Sequence, residues 1–151
     1  MKSGSLITLA VLLPNLLFLI APPLSVPQTP AGSRARAGIL IQAMERIGQV
    51  GAFVIPFFCE IDLKGSIVLL IGALAALVIY YAGWCRYMWK DREYRLLFSP
   101  LLGIPLPMAV CPVTYFALWS VLLNSWLLAA ATLILGIGHI NVSIGERLRS
   151  R

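Results

Sequence analysis

Charge is scarce in this sequence: twelve Lys and Arg, six Asp and Glu and a single histidine in 151 residues, of which 60% are hydrophobic. A water-soluble domain of this length is excluded by that balance, and the mean hydropathy of +0.89 makes lipid the expected solvent. One histidine and three widely spaced cysteines, Cys59, Cys85 and Cys111, build neither a usual zinc site nor a bis-histidine haem site. The odd cysteine count with no CxxC pair also argues against a disulfide framework, so the thiols read as small apolar packing residues, and no metal or cofactor is expected. P-loop, HExxH, GxSxG and GxGxxG patterns are all missing, which removes the commonest nucleotide and hydrolase chemistries. There is no internal repeat either, which weakens any reading as a complete inverted-repeat transporter in one chain.

What the sequence does have is long apolar runs. Stretches of about 20 such residues can cross a bilayer, and five candidates occur: 6–24, 37–58, 66–89, 101–122 and 125–144. An unpaired amide in hydrocarbon costs several kcal/mol, so spans are helices or closed barrels, and these runs lack a barrel's alternation. The expected fold is therefore all-α, a single polytopic transmembrane bundle over residues 1–151 with five spans, or four if residues 37–49 lie on the surface as an amphipathic helix.

The net charge of +6 would suggest nucleic acid as a partner of a soluble protein, but here the bases sit in short loops and at the C-terminus. With the N-terminus outside, one side receives Arg34, Arg36, Arg86, Lys90, Arg92, Arg95, Arg147, Arg149 and Arg151, and the other only Lys2 and Lys64. Such a bias marks the cytoplasmic side. The expected location is the cell (inner) membrane, multi-pass, N-terminus outside and C-terminus cytoplasmic. A rival reading takes Lys2 and the run to Ala21 as a cleaved secretory signal, which would place Arg34 and Arg36 outside.

The second run is the most informative. Gln42, Glu45, Arg46 and Gln49 share one helical stripe there, while Ile39, Ile41, Ala43, Met44, Ile47 and Val50 cover much of the rest. Ionisable groups at membrane depth are costly and tend to face a bundle interior or a wet cavity. Adjacent residues on a helix diverge by about 100°, so Glu45 and Arg46 are expected to find separate partners. His139 and Asn141 in the sequence GIGHIN fall at a similar depth in the fifth run, where an imidazole beside a carboxylate could relay protons near neutral pH. Gln42, Glu45, Arg46, Gln49, His139 and Asn141 are thus the candidate substrate-binding residues, with a purely structural polar network as the competing reading.

Prolines mark the remaining features. Pro14 followed by Asn15 reads as a packing kink, and the segment 22–36 as a surface linker of extended geometry. Four prolines at 100, 105, 107 and 112 mean the fourth run is not regular throughout; either it lines a site as a broken helix or the helix begins near Met108. The loop from Trp84 to Arg95 combines aromatic residues with a basic rim suited to anionic lipid head groups. Trp119 and Trp126 are expected at the opposite interface.

Three functions remain open from sequence. A polar solute or proton could be bound or conducted, by a homo-oligomer or as a subunit beside a partner membrane protein. An embedded enzyme could act on a lipid or isoprenoid phosphate held by Arg46 and Arg86. A structural or assembly role is the third.

Overall fold

The structure is a computed structural model that describes residues 4–25, 36–61 and 66–149. The linker between 26 and 35, and the bases Lys2, Arg34, Lys64 and Arg151 that entered the charge count, lie outside the described residues. Five helices account for nearly all of the rest: α1 Ser5–Ile20, α2 Arg36–Val54, α3 Ile67–Trp89, α4 Pro107–Leu122 and α5 Trp126–Arg149. Short 3₁₀ turns, Ile55–Phe58 and Tyr94–Phe98, follow α2 and α3. Among the described residues there is no strand, only one isolated bridge between Leu101 and Ile104.

Three segments are long and apolar enough to cross a membrane: Gly38–Phe58, Ile67–Trp89 and Trp126–Arg149. α1 and α4 are apolar but only 16 residues each. That is roughly 24 Å of helix, short of the roughly 30 Å of a hydrocarbon core. The bundle is apolar on the outside: Leu6, Leu13 and Leu19 of α1, Ile47 and Val50 of α2 and Val68 and Val78 of α3 are all exposed. Its interior is built instead from aromatic and small residues, with Tyr80, Trp84, Tyr87, Phe116 and Trp119 meeting Ala52, Ala73 and Ala76.

Each helix runs antiparallel to the next. Thr8 of α1 donates to the Phe53 carbonyl near the end of α2 (2.9 Å), which satisfies one of the last free carbonyls of that helix. Gly83 of α3 lies against Met108 of α4, Gly72 against Leu118, and Gly136 of α5 against Val113 of α4. One end of the bundle consequently gathers Arg86, Lys90, Arg92, Arg95, Arg147 and Arg149, whereas the described residues of the other end, 55–61 and 122–126, carry no base.

Several boundaries differ from the sequence expectation, each for a local reason. α1 stops at Ile20 instead of 24 because Pro22 and Pro23 cannot continue it, and the freed Ala21 carbonyl accepts from the Tyr87 hydroxyl (3.0 Å). The fourth run does not start its helix at 101: Leu101 and Ile104 bond reciprocally around Leu102 and Gly103, both at positive φ, in a tight turn, and α4 begins at Pro107. α4 ends where Asn124 takes a left-handed conformation (φ 48°), and the Ser125 hydroxyl then caps α5 by accepting from the Leu128 amide (3.3 Å). α5 continues past the expected residue 144 to Arg149. Residues 37–49 form no separate surface helix; they are the first part of a continuous α2. Trp119, in the last turn of α4, is buried beside Tyr115, while Trp126, at the start of α5, is exposed.

α2 and α5 make the closest approach. A Cβ added at Gly48 would collide with the backbone of Leu135, one at Gly138 with the backbone of Glu45, and one at Gly51 would lie 2.8 Å from the Ala131 Cβ. Gly48 and Gly51 lie three apart on α2 and meet Leu135 and Ala131, while Gly138 lies seven residues after Ala131 on α5, so the two backbones touch along a seam. Gly48→Ala and Gly138→Ala are expected to destabilise the bundle by about 1–3 kcal/mol or to prevent its assembly. Gly38→Ala and Gly145→Ala, where an added methyl meets nothing, are expected to be neutral or to stabilise by up to about 1 kcal/mol. Denaturant titration of the purified variants in one detergent measures the difference.

Candidate functional site

The α2–α5 seam fixes which side chains can meet. With Gly138 packed on the Glu45 backbone, the next residue of α5 reaches the Glu45 carboxylate: His139 Nδ1 lies 2.6 Å from Glu45 Oε1. The pair is partly buried, with side chains 28% and 17% exposed. Paired in this way, a neutral ring carries its proton on Nδ1 and leaves Nε2 as an acceptor, while a protonated ring is a donor at both nitrogens. The two groups can therefore pass a proton without changing their contact.

The pair forms part of the wall of a cavity of 650 Å³ that all five helices and the 3₁₀ turn at Tyr94–Phe98 enclose. Arg46 and Gln49 line it from α2 beside Glu45, Asn15 from α1 and Tyr80 and Trp84 from α3. Apolar walls come from Phe53, Leu97, Phe116 and their neighbours. Phe18, Leu19 and Arg46 line the cavity yet are exposed, so they form its mouth, between the C-terminal half of α1 and the middle of α2. The cavity runs from mid-bundle toward the basic end. Arg46 has no hydrogen-bond or ion-pair acceptor among the described residues.

α1 is held in place by phenols of α3. Pro14 lacks an amide proton and so frees the Ala10 carbonyl four residues earlier; the Tyr81 hydroxyl donates to it (2.9 Å). One turn on, the Tyr80 hydroxyl donates to Asn15 Oδ1 (2.7 Å). The Trp84 indole N–H, buried next to Tyr80, has no acceptor in hydrogen-bonding geometry.

Of the residues expected from sequence, Glu45, Arg46, Gln49 and His139 come together at this cavity. Gln42 is exposed on α2 outside it. Asn141 is also outside, because its amide bonds back to the Ile137 carbonyl of its own helix (2.6 Å). Sequence reasoning missed Asn15, Tyr80 and Trp84. The available signal was Asn15 itself, an amide with no helix-terminal role in the middle of an apolar run.

Arg86 was a candidate phosphate clamp, but its guanidinium donates to the carbonyls of Leu96 (2.8 Å), Ser99 (3.0 Å) and Pro100 (2.7 Å). It folds the segment after α3 and does not line the cavity. Tyr94 in that segment donates to Glu146 of α5 (2.9 Å), and burial first, then this bond, pushes its phenol up to about 12. The neutral phenol is thus the favoured form, so this contact contributes fully below the ordinary phenol value of about 10 and is lost as the pH rises toward 12.

Tyr80→Phe and Tyr81→Phe are each expected to lower stability by about 0.6–2 kcal/mol in detergent, since each removes an interhelical bond that holds α1. Denaturant titration reads the loss, and protease sensitivity within α1 should rise in parallel. Comparison with protein-family models, with curated proteins and with solved structures finds no match for this chain.

Proposed function

We propose that this chain is a small multi-pass protein of the cell (inner) membrane whose intramembrane cavity binds or conducts a polar solute or a proton, alone as an oligomer or as a subunit of a larger transporter. The observation that carries the reading is the Glu45–His139 contact at 2.6 Å on a cavity wall beside Arg46 and Gln49. A bundle that needed only a structural polar link would have no reason to leave 650 Å³ beside it.

Five alternating helices support an arrangement with the two termini on opposite sides. The basic end, with Arg86, Lys90, Arg92, Arg95, Arg147 and Arg149, is then the cytoplasmic one. The cavity mouth lies toward that end, so the site is served from the cytoplasm. Lys90 and Arg92 remain free to meet anionic head groups at this surface, at about 1 kcal/mol per base. The lipid-phosphate enzyme reading loses one of its two clamps, since Arg86 is committed to backbone carbonyls.

In proteoliposomes carrying an entrapped pH-sensitive dye and an imposed potential, the native protein is expected to conduct protons or to show a solute-dependent proton flux. Glu45→Gln and His139→Ala should each lower that flux by about tenfold or more, the scale of one charge-assisted hydrogen bond. Equal flux in correctly folded variants would contradict the proposal.

A further inference from the structure

The cavity has an imbalance between donors and acceptors that specifies its ligand. Glu45, the carboxylate on its wall, already faces the His139 ring nitrogen. Arg46 is the next residue of α2, about 100° around the helix, so it does not share that carboxylate, and no other acceptor reaches it among the described residues. Asn15 has its oxygen occupied by the Tyr80 hydroxyl, so what it offers the cavity is its NH₂ group. The Trp84 indole N–H is buried against Tyr80 and is not open to the cavity, so it offers nothing to a ligand. One fixed positive charge and the Asn15 NH₂ group beside it therefore lack acceptors, which a ligand head can bring as oxygens carrying a negative charge.

The rest of the lining has the opposite character. Phe53 and Phe116, their rings tilted by 60° with centroids 5.8 Å apart, add apolar wall to the same cavity. A volume of 650 Å³ is that of a site for a molecule of drug or lipid-fragment size, far more than a small anion fills. The mouth is flanked by exposed Phe18 and Leu19 with Arg46 beside them, so an apolar chain can leave sideways toward lipid while its head stays at the guanidinium.

We infer that the ligand of this cavity is an anionic single-chain amphiphile, with a carboxylate or phosphate head on Arg46 and the Asn15 amide and its chain along the cleft between α1 and α2. This rests on the cavity being a binding site, and adds the class of molecule bound. The head chemistry is shared by fatty acids and by lysophosphatidic or isoprenoid phosphates. Position 46 is then the selectivity determinant, because the other polar groups are neutral or already paired.

The test is equilibrium binding to the full-length protein in nanodiscs of zwitterionic lipid, with oleate, lysophosphatidate, lysophosphatidylcholine and hexadecylamine as probes. Oleate or lysophosphatidate is expected to bind about tenfold or more tightly than the other two, as a charge-assisted head contact requires. Whichever of these two binds better identifies the head as carboxylate or phosphate. Arg46→Gln should abolish the preference, while Lys90→Gln, at the surface outside the cavity, should leave it intact. Equal binding of all four probes, or a preference that survives Arg46→Gln, overturns the assignment and leaves the cavity reading standing. Failure of every probe to bind, together with unchanged proton flux in Glu45→Gln, overturns both.

Discussion

The site depends on one steric fact: α2 and α5 touch backbone to backbone. Gly138 admits no side chain without striking Glu45, and Gly48 none without striking Leu135. The residues on either side of these contacts are thereby placed with little freedom, and Glu45 and His139 meet as a consequence of the helix register. Had either glycine been a larger residue, the helices would stand further apart and the carboxylate would lose its imidazole. The seam fixes the site as much as the polar residues themselves do.

Around that seam, the bundle satisfies polar groups in a way suited to an apolar surrounding. Ser120 and Thr132 are buried but bond to carbonyls of their own helices, Ala117 and Leu128, at 2.7 Å each. Hydroxyls that look outward from α3 bind to α1 exactly where a proline or a helix end releases a carbonyl, at Ala10 and Ala21. Tyrosine is suited to this because its ring fills the interior while its hydroxyl reaches a partner. Arg46, Asn15, Gln49 and Trp84 line one cavity, whereas the Trp119 indole N–H and Arg86 Nε, also buried without an acceptor, lie outside it.

Much of the fold was legible in the chain because lipid compatibility is written in run length and charge. The all-helical architecture, the positions of α2, α3 and α5 and the basic end follow from apolar runs and from the bases between them. Boundaries were less so, because a tight turn at Leu102 and Gly103 and a left-handed Asn124 depend on single residues inside apolar text. The stripe on α2 was visible, yet periodicity cannot tell which member faces a neighbour: Glu45 and Gln49 turn inward and Gln42 outward. Asn141 looked equivalent to His139 from its depth, but an asparagine can satisfy itself on its own helix and a histidine ring at that position reaches across. The contribution of α1 was hidden altogether, since partners between residues 15 and 80 are set by tertiary packing.

In the proposed function the polar face of α2 lines a space reached by water from the basic end. The most direct measurement places a single cysteine at Gln49 in a protein without Cys59, Cys85 and Cys111, with the exposed apolar position Val50 as its neighbour control. A membrane-impermeant maleimide is then applied from each side. Labelling of position 49 is expected from the side of the basic end only, with position 50 unlabelled from either. A position 49 that no reagent reaches, or that reacts from the opposite side, would contradict this arrangement.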